Sequence, residues 1–429
     1  MNAQKPRDFA VHLLRRRETT DEFIETLLEK ELAQAPISAL DRRFVQELVY
    51  GVVRWQRTLE HLIQLKSPGR SQKSGLRILL SLGLYQMFWL DRIPSHAAVF
   101  ETVESAKRFG FGPQASFVNA VLRAYSRERE KTLQLLANLK VDAPALGHSH
   151  PDWLYDRWRK EWGPDSAAAL LRWNNTPPET CARVNRLRTN PESLAQRWAG
   201  EEVDAVSRAW TWLDGELLFL MRKHPPLADL PSFKEGWFYI QDPSTLLAVH
   251  LLRPEPGERI LDLCAAPGGK TAYTAQRMAN AGKVVAADSN LARLELIREN
   301  CARLGVTCVE TAAPSSVGGV FDRVLVDAPC SNTGVMRRRV DLRWRITPAE
   351  IQRLRKTQLQ LLDRAFLRLR RGGTLVYSTC SLEPEENGSV VEEFLQLHPG
   401  MRLQAERQLT PWADAVDGAY AAALVKLTD

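Results

Sequence analysis

The chain has 429 residues, of which 44% are hydrophobic and 25% charged, and it carries a formal net charge of +7. That composition is that of a soluble globular protein, and the length has room for about two to four domains with buried cores. The positive charge suits a polyanionic partner, and no apolar run is long enough to cross a bilayer. Six cysteines form no C-x-x-C pair, which argues against a zinc site or a disulfide framework and for a reducing cytosol. Met1–Thr20 is charged without an apolar centre, so no signal peptide is expected.

Residues 1–140 read as all-helical. Thr19-Thr20-Asp21-Glu22 has capping-box spacing and predicts a helix with Phe23, Ile24, Leu27 and Leu28 inward. Ser38 opens another, in which Phe44, Val45, Leu48, Val49 and Val52 keep helical period. Ile78–Leu90, interrupted only by Ser81 and Gln86 among its polar positions, reads as a buried helix. Pro94-Ser95 then breaks the chain, and Phe117, Val118, Val121 and Leu122 mark a last amphipathic helix. Arg15, Arg16, Arg17, Arg123, Arg127 and Arg129 are phosphate contacts or a solvated helix face. His96 reads as a capping or packing residue. Gly147–Pro151 reads as a linker, with His148 and His150 as linker residues rather than ligands.

Residues 148–232 suggest a small mixed α/β module, with helices at Trp153–Trp162 and Ser166–Trp173 and a strand at Cys181–Asn185. Its tryptophans (Trp153, Trp158, Trp162, Trp173, Trp198, Trp210, Trp212) are read as mostly core, although such rings also stack on bases.

From residue 233 the pattern becomes alternating strand and helix, which implies a mostly parallel sheet. Arg259–Leu263 is an apolar strand. Pro267-Gly268-Gly269 cannot continue it, and Thr271–Met278 has helix-forming composition. Strand, tight glycine-rich turn and helix form the entry unit of a doubly wound α/β domain. Glycine allows close approach of a ligand to the backbone, and the helix start offers free N–H groups. Three loop types compete here. A dinucleotide fingerprint, G-x-G-x-x-G, is not supplied by Ala266–Thr271. A Walker A loop fits only at Gly269-Lys270-Thr271, since its first glycine falls on Cys264. The third is the loop of class I methyltransferases, which bind S-adenosylmethionine at this place in the fold. Asp288 ends the strand Lys283–Ala287, 19 residues after Gly269, close to the about 20 expected for a carboxylate on ribose hydroxyls. The alternative is a nucleotide-free turn with a solvated Asp288. Further strands at 306–311, 320–326 and 374–379 leave Asp262, Asp288, Asp327 and Cys380 at strand ends on one edge of the sheet.

Three motifs then occur in order: Cys264-Ala265-Ala266-Pro267-Gly268-Gly269-Lys270-Thr271, Asp327-Ala328-Pro329-Cys330-Ser331-Asn332-Thr333-Gly334, and Ser378-Thr379-Cys380-Ser381 with Pro384-Glu385-Glu386-Asn387. They resemble the RNA (cytosine-5) methyltransferases, and within them the bacterial 16S ribosomal RNA cytosine-5 methyltransferase B family. Leu48–Arg54, Ile93–Glu104 and Phe117–Arg123 are similar to the RNA-binding domain of the antitermination factor NusB. The resemblance implies an α/β, class I (Rossmann-like) methyltransferase domain over 233–429. Before it would stand an all-α NusB-like domain over 1–140 and a small α/β accessory RNA-binding module over 148–232.

It also implies the chemistry. Cytosine C5 is too weak a nucleophile to take a methyl group unaided; a thiolate added at C6 makes C5 enamine-like. The resemblance places the nucleophile at Cys380, a second cysteine assisting product release at Cys330, and a contact to cytosine N3–N4 at Asp327. Lys270 would contact substrate or orient Asp327. S-adenosylmethionine would be held by Cys264, Ala265, Ala266, Pro267, Gly268, Gly269, Lys270, Asp288 and Asp327, with no metal. The implied partner is 16S ribosomal RNA with an unstacked or loop cytosine, and the implied enzyme is a cytoplasmic monomer. Met336–Arg345, basic with an aromatic inside, is expected to bind RNA backbone or to be solvated. Two departures stand out. Thr311–Ser316 has no carboxylate where the family carries one near the adenine, and Asp417–Lys426 matches the family's ending only loosely. Rival readings are the same chemistry on transfer RNA or another RNA, a non-catalytic RNA-binding assembly factor, and a nicotinamide oxidoreductase, the last opposed by the missing fingerprint.

Overall fold

The computed structural model describes residues 5–69, 71–213 and 218–428; residues 1–4, at the start of the helical region, and 214–217, in the accessory module, lie outside them. The chain forms two compact units, Met1–Thr176 with Met336–Arg345, and Pro177–Val335 with Ile346–Asp429. Among the described residues no helix is long and apolar enough to cross a membrane.

The first unit is helical. Its centre is the helix Ser74–Trp89, apolar at almost every position and buried from Leu76 to Phe88 except at Arg77; a helix apolar all round belongs inside a bundle. Ala39–Arg54 starts where Ser38 predicts, with Ser38 Oγ accepting from Asp41 N at 3.1 Å, and buries Val45, Leu48, Val49 and Val52. The helix expected at Thr19–Glu22 begins later. It spans Ile24–Gln34 and has no side-chain cap of its own. Its first N–H, at Ile24, donates instead to Asp341 Oδ2 at 3.0 Å, where the helix dipole favours a carboxylate.

Asp341 belongs to Met336–Arg345, the segment expected to bind RNA backbone or be solvated. For most of it neither holds. Arg337 is 4% exposed, and Asp341 and Arg343 are fully buried, while Arg339 is exposed. Asp341 accepts from Arg17 Nε at 2.7 Å and Arg345 Nε at 2.9 Å. Arg343 meets no carboxylate among its hydrogen-bond partners. It donates to the carbonyls of Arg54, Ser149 and Asn174 and to Asn175 Oδ1, at 2.8–3.4 Å. Arg54 and Asn174 close the helices Ala39–Arg54 and Asp152–Asn175, so the guanidinium satisfies carbonyls orphaned at two helix ends. Val340 joins the unit's apolar core, Trp344 packs against it and donates from Nε1 to Val53 O at 2.8 Å, and Arg337 lies 4.0 Å over the Trp173 ring. Of the arginines proposed for phosphate, Arg17 is therefore committed to Asp341, while Arg15 remains exposed.

Gly147–Pro151 is not a solvated linker either. His148 and His150 are 6% and 0% exposed. Burial pushes His148 down to about 4 and His150 further below its ordinary value, so both rings are neutral. His150 Nδ1 lies 2.8 Å from His148 O. Burial this deep is set by the packing of Asp152–Asn175 and leaves no mark in the local composition.

The second unit holds two sheets. In the smaller one, β1 (Thr180–Val184), β2 (Asp204–Arg208), β3 (Leu218–Lys223) and β4 (Phe238–Ile240) pair antiparallel in the order β2-β3-β1-β4. Trp198, 1% exposed, meets Phe219 and Phe238 edge-on beneath it; Trp158, Trp210 and Trp212 are also buried, as their core reading requires.

The larger sheet comprises β5 (Arg259–Asp262), β6 (Lys283–Ala287), β7 (Val309–Ala312), β8 (Phe321–Asp327), β9 (Leu369–Thr379), β10 (Met401–Leu409) and β11 (Ala419–Lys426), in the order β10-β11-β9-β8-β5-β6-β7. β5 to β9 run parallel, and β10 and β11 form an antiparallel hairpin at one side. Alternate residues go to opposite faces. Ile260, Val284, Leu325 and Val376 pack with Leu247 and Val249, whereas Leu261, Val285, Val324 and Leu375 pack with Leu362, Ala365 and Phe394. A parallel sheet buried on both faces has one chemically open edge, beyond the carboxyl ends of its strands. Asp262, Asp288, Asp327 and Cys380 stand at those ends.

Replacing Asp341 with Ala would leave two arginines and a helix N-terminus without their shared carboxylate. We expect Asp341→Ala to lower unfolding free energy by roughly 3–5 kcal/mol, seen as a lower urea midpoint for the helical signal; an unchanged midpoint would refute the internal role of this segment.

Candidate active site

The loop after β5 is shaped by backbone geometry. Gly268, at φ +99°, precedes the helix Gly269–Arg277 and donates from its N–H to Ala265 O at 2.8 Å. A Cβ on Gly269 would lie 2.9 Å from the Tyr239 ring, so the turn accepts only glycine without a shift of that ring. Asp262 is 2% exposed; its Oδ2 accepts from Thr271 Oγ1 at 2.7 Å, while Oδ1 has no hydrogen-bond partner among the described residues. Burial pushes the Asp262 carboxyl up to about 7. Asp288 is buried at the end of β6. Its two oxygens accept from Asn290 N at 2.9 Å and Ala266 N at 3.2 Å, which ties the glycine-rich loop to the next strand and leaves each oxygen a second lone pair. Arg293 completes the tie through Ala266 O at 2.6 Å. Cys264 is surrounded closely enough that burial pushes its thiol up to about 12, so its part here is that of a neutral side chain.

The second cluster lies beyond β8 and β9. Asp327 Oδ2 takes Lys270 Nζ at 2.6 Å and Oδ1 takes Ser378 Oγ at 2.9 Å. Burial works against the Lys270 charge, but Asp327 outweighs it and the ammonium is raised above its ordinary value. Cys330 and Cys380 are free thiols with Sγ atoms 3.4 Å apart. Cys330 is 7% exposed and Cys380 less enclosed. The hydrogen bond with Cys380, and then burial, push the Cys330 thiol well above its ordinary value. Cys330 is therefore the partner that stays protonated. Cys380 Sγ also donates to Asn332 Oδ1 at 3.0 Å, while Asn332 Nδ2 holds Cys330 O at 2.7 Å.

The structure thus brings Lys270, Asp327, Cys330 and Cys380 together, and groups Asp262, Asp288 and the Cys264–Gly269 loop along the same sheet edge. Several contributors went unassigned in the sequence: Thr271, Ser378 and Asn332 touch the expected residues directly, and Gln358, Glu386 and Asn387 support the cysteine loops. Thr271, Asn332, Ser378, Glu386 and Asn387 stood within the three motifs with no role attached, and Gln358 carried no sequence signal.

Comparison with known proteins bears on these features. Residues 249–424 match the family described as 16S rRNA methyltransferase RsmB/F, residues 4–127 match the NusB family, and residues 150–212 match an RsmF/B-like ferredoxin-like domain. The chain is 38% identical over 416 residues to the probable ribosomal RNA small subunit methyltransferase B of Synechocystis sp., covering 94% of this chain and 92% of that one. It is 37% identical to ribosomal RNA small subunit methyltransferase B of Vibrio cholerae, covering 92% of each. Among solved structures it matches a methyltransferase homolog from Pyrococcus horikoshii at 30% identity and TM-score 0.58, over 66% of this chain and 97% of the other. It shares its fold with PH0851, at TM-score 0.78 and 23% identity over 99% of each.

The fold and site therefore define a Rossmann-like RNA methyltransferase carrying a NusB domain. The chain belongs to the 16S ribosomal RNA methyltransferase RsmB/F family, on the small-subunit methyltransferase B side of it.

The glycine of the Cys330 motif shows how tightly this site is built. Gly334 N donates to Cys380 O at 2.9 Å, and Gly334 O accepts from Gly418 N at 2.9 Å. A Cβ on Gly334 would fall 2.5 Å from Gly418 O and 2.8 Å from Cys380 O. The loosely matching C-terminal ending thus supplies backbone that packs on the cysteine loops. Gly334→Ala is expected to cost about 1–3 kcal/mol of unfolding free energy by overpacking, read in urea denaturation; a wild-type midpoint would mean these loops part freely.

Proposed function

We propose that this enzyme methylates C5 of a cytosine in 16S ribosomal RNA, with S-adenosylmethionine as donor and a covalent Cys380–C6 adduct as intermediate. The observation that carries the reading is the pair of thiols 3.4 Å apart beside Asp327, which Lys270 holds at 2.6 Å. One thiol is enclosed and held protonated; the other is more accessible.

The residues around the first loop fit the donor. Asp262 Oδ1 is buried and unpartnered among the described residues, Asp288 keeps lone pairs for ribose hydroxyls, and Gly268-Gly269 leaves the backbone open to approach. When bound, S-adenosylmethionine supplies an electrophilic methyl group. The rest of the chemistry falls to the chain. Cys380, as thiolate, adds to C6, and the electron pair moves toward N3 of the ring. Asp327, fixed by Lys270 and Ser378, meets the N3–N4 edge and passes N3 the proton that balances the arriving pair, taking it back as C5 attacks the methyl group. After C5 has taken the methyl group, the C5 proton passes to solvent water, the C5–H pair re-forms the C5–C6 double bond, and the C6–S bond breaks, returning its electron pair to Cys380. Cys330, a thiol beside that sulfur, assists this release by hydrogen bonding to the departing thiolate. Attack on C6 needs the face of the ring, so the target cytosine must be unstacked. The small-subunit RNA assignment draws on family membership and on the NusB match at residues 4–127.

The test is incubation of the protein with donor and unmodified small-subunit ribosomal RNA, followed by digestion and mass spectrometry. Wild type should yield 5-methylcytosine. Cys380→Ala should yield none, and Cys330→Ala should accumulate RNA–protein adduct resistant to denaturation. Methylation of transfer RNA but not ribosomal RNA would move the substrate; product from Cys380→Ala would overturn the covalent route.

A further inference from the structure

Glu386 is fully buried, yet none of its hydrogen-bond donors is a cation. Its Oε1 accepts from Ser331 N at 2.9 Å and from Gln358 Nε2 at 3.0 Å. Its Oε2 accepts from Ser381 Oγ at 2.6 Å and from Ser331 Oγ. Ser331 follows Cys330, and Ser381 follows Cys380. One carboxylate therefore ties together the residues next to both reactive cysteines. The brackets continue on either side. Gln358 Nε2 also holds Pro329 O, just before Cys330, at 3.0 Å. Asn387 takes Thr379 Oγ1 on Oδ1 at 2.6 Å and donates from Nδ2 to Ser381 O at 2.9 Å, enclosing Cys380 from both sides. Tyr377 OH donates to the Glu386 carbonyl at 2.5 Å, which fixes the clamp to β9.

Burying a carboxylate without a cation is costly, and burial does raise the Glu386 carboxyl above its usual range. For stability alone, an apolar cluster replacing the carboxylate and its side-chain donors together would serve. What four convergent donors do provide is geometry: a rigid distance between two loops that have no strand pairing of their own at this point.

We propose that Glu386 is a positioning residue that sets the gap between Cys380 and Cys330, and so governs release of the methylated RNA more than its capture. This rests on the cysteine roles proposed above. With the clamp loosened, Cys380 still adds to C6, because its own loop remains bracketed by Asn387. Cys330 drifts from the departing sulfur, and the adduct persists.

The experiment uses the full chain with small-subunit ribosomal RNA and donor, and compares Glu386→Gln and Ser331→Ala with wild type, Cys330→Ala and Cys380→Ala. Glu386→Gln keeps the shape but turns an acceptor into a donor facing hydroxyls. Ser331→Ala removes only the hydroxyl arm on the Cys330 side. Expected for Glu386→Gln is a kcat lower by about 10–100-fold, the loss typical of a misplaced reacting group. The KM for RNA should fall in step, leaving kcat/KM near the wild-type value, and a denaturation-resistant RNA adduct should accumulate. Ser331→Ala should show the same signature more weakly, and it decides the matter alone should Glu386→Gln not fold. A merely structural role would lower the concentration of active enzyme without building adduct. Adduct from Cys330→Ala but none from either clamp variant would overturn the role of Glu386. No adduct even from Cys330→Ala would instead overturn the cysteine assignment, and the clamp's role with it.

Discussion

The pairing of Asp327 with Ser378 at the carboxyl ends of the parallel strands β8 and β9 is the constraint on which the reactive end of this molecule depends. Because the strands run in register to their last residues, the loops leaving them start side by side, and Ala328 N still reaches Ser378 O at 2.9 Å. Cys330 and Cys380, few residues beyond, then have no choice but to meet. A slip of one residue would turn Asp327 to the opposite face and separate it from Lys270. The same register places β5 beside β8, so Lys270, on the helix after the glycine-rich loop, comes within reach of Asp327. The glycine-rich loop, Asp327 and the two thiols meet as consequences of one sheet edge.

Buried charge is handled differently in each part of the chain. Lys270 and Asp327 neutralise one another. Asp341 is shared by two arginines and a helix N-terminus, whereas Arg343 is met only by carbonyl oxygens, including those at two helix ends. Glu386 has only neutral donors. The first pair stands at the sheet edge beside the two thiols. The others use the directionality of hydrogen bonds to hold loops or helix ends that apolar packing alone would leave slack.

The ends of both thiol loops also depend on backbone contact. Gly334 and Gly418 pass so closely that neither tolerates a side chain without displacement. β11, fully buried between β9 and β10, thereby contributes to the site although none of its own residues carries chemistry.

How much of this was legible beforehand follows from the range of the forces involved. Period and spacing are local, and they correctly announced the strand–turn–helix at Arg259–Met278, the buried helix around Ile78–Leu90 and the Ser38 cap. The motifs around Cys264, Cys330 and Cys380 carried the family and the class of enzyme, because close backbone approach and reactive thiols demand particular residues at particular positions. The cap of Ile24–Gln34 could not be read locally, since its carboxylate comes from Asp341, 317 positions away. For the same reason a basic stretch at Met336–Arg345 looked like an RNA-backbone contact, and the histidines of Gly147–Pro151 looked like linker. Charged residues signal exposure only until a distant helix end supplies their partners. Sequence alone determined the order of most elements and the motifs that meet at the sheet edge. Tertiary structure decided which charges are buried, what caps which helix, and that Glu386 joins the two thiol loops, because those outcomes depend on long-range contacts that no local pattern encodes.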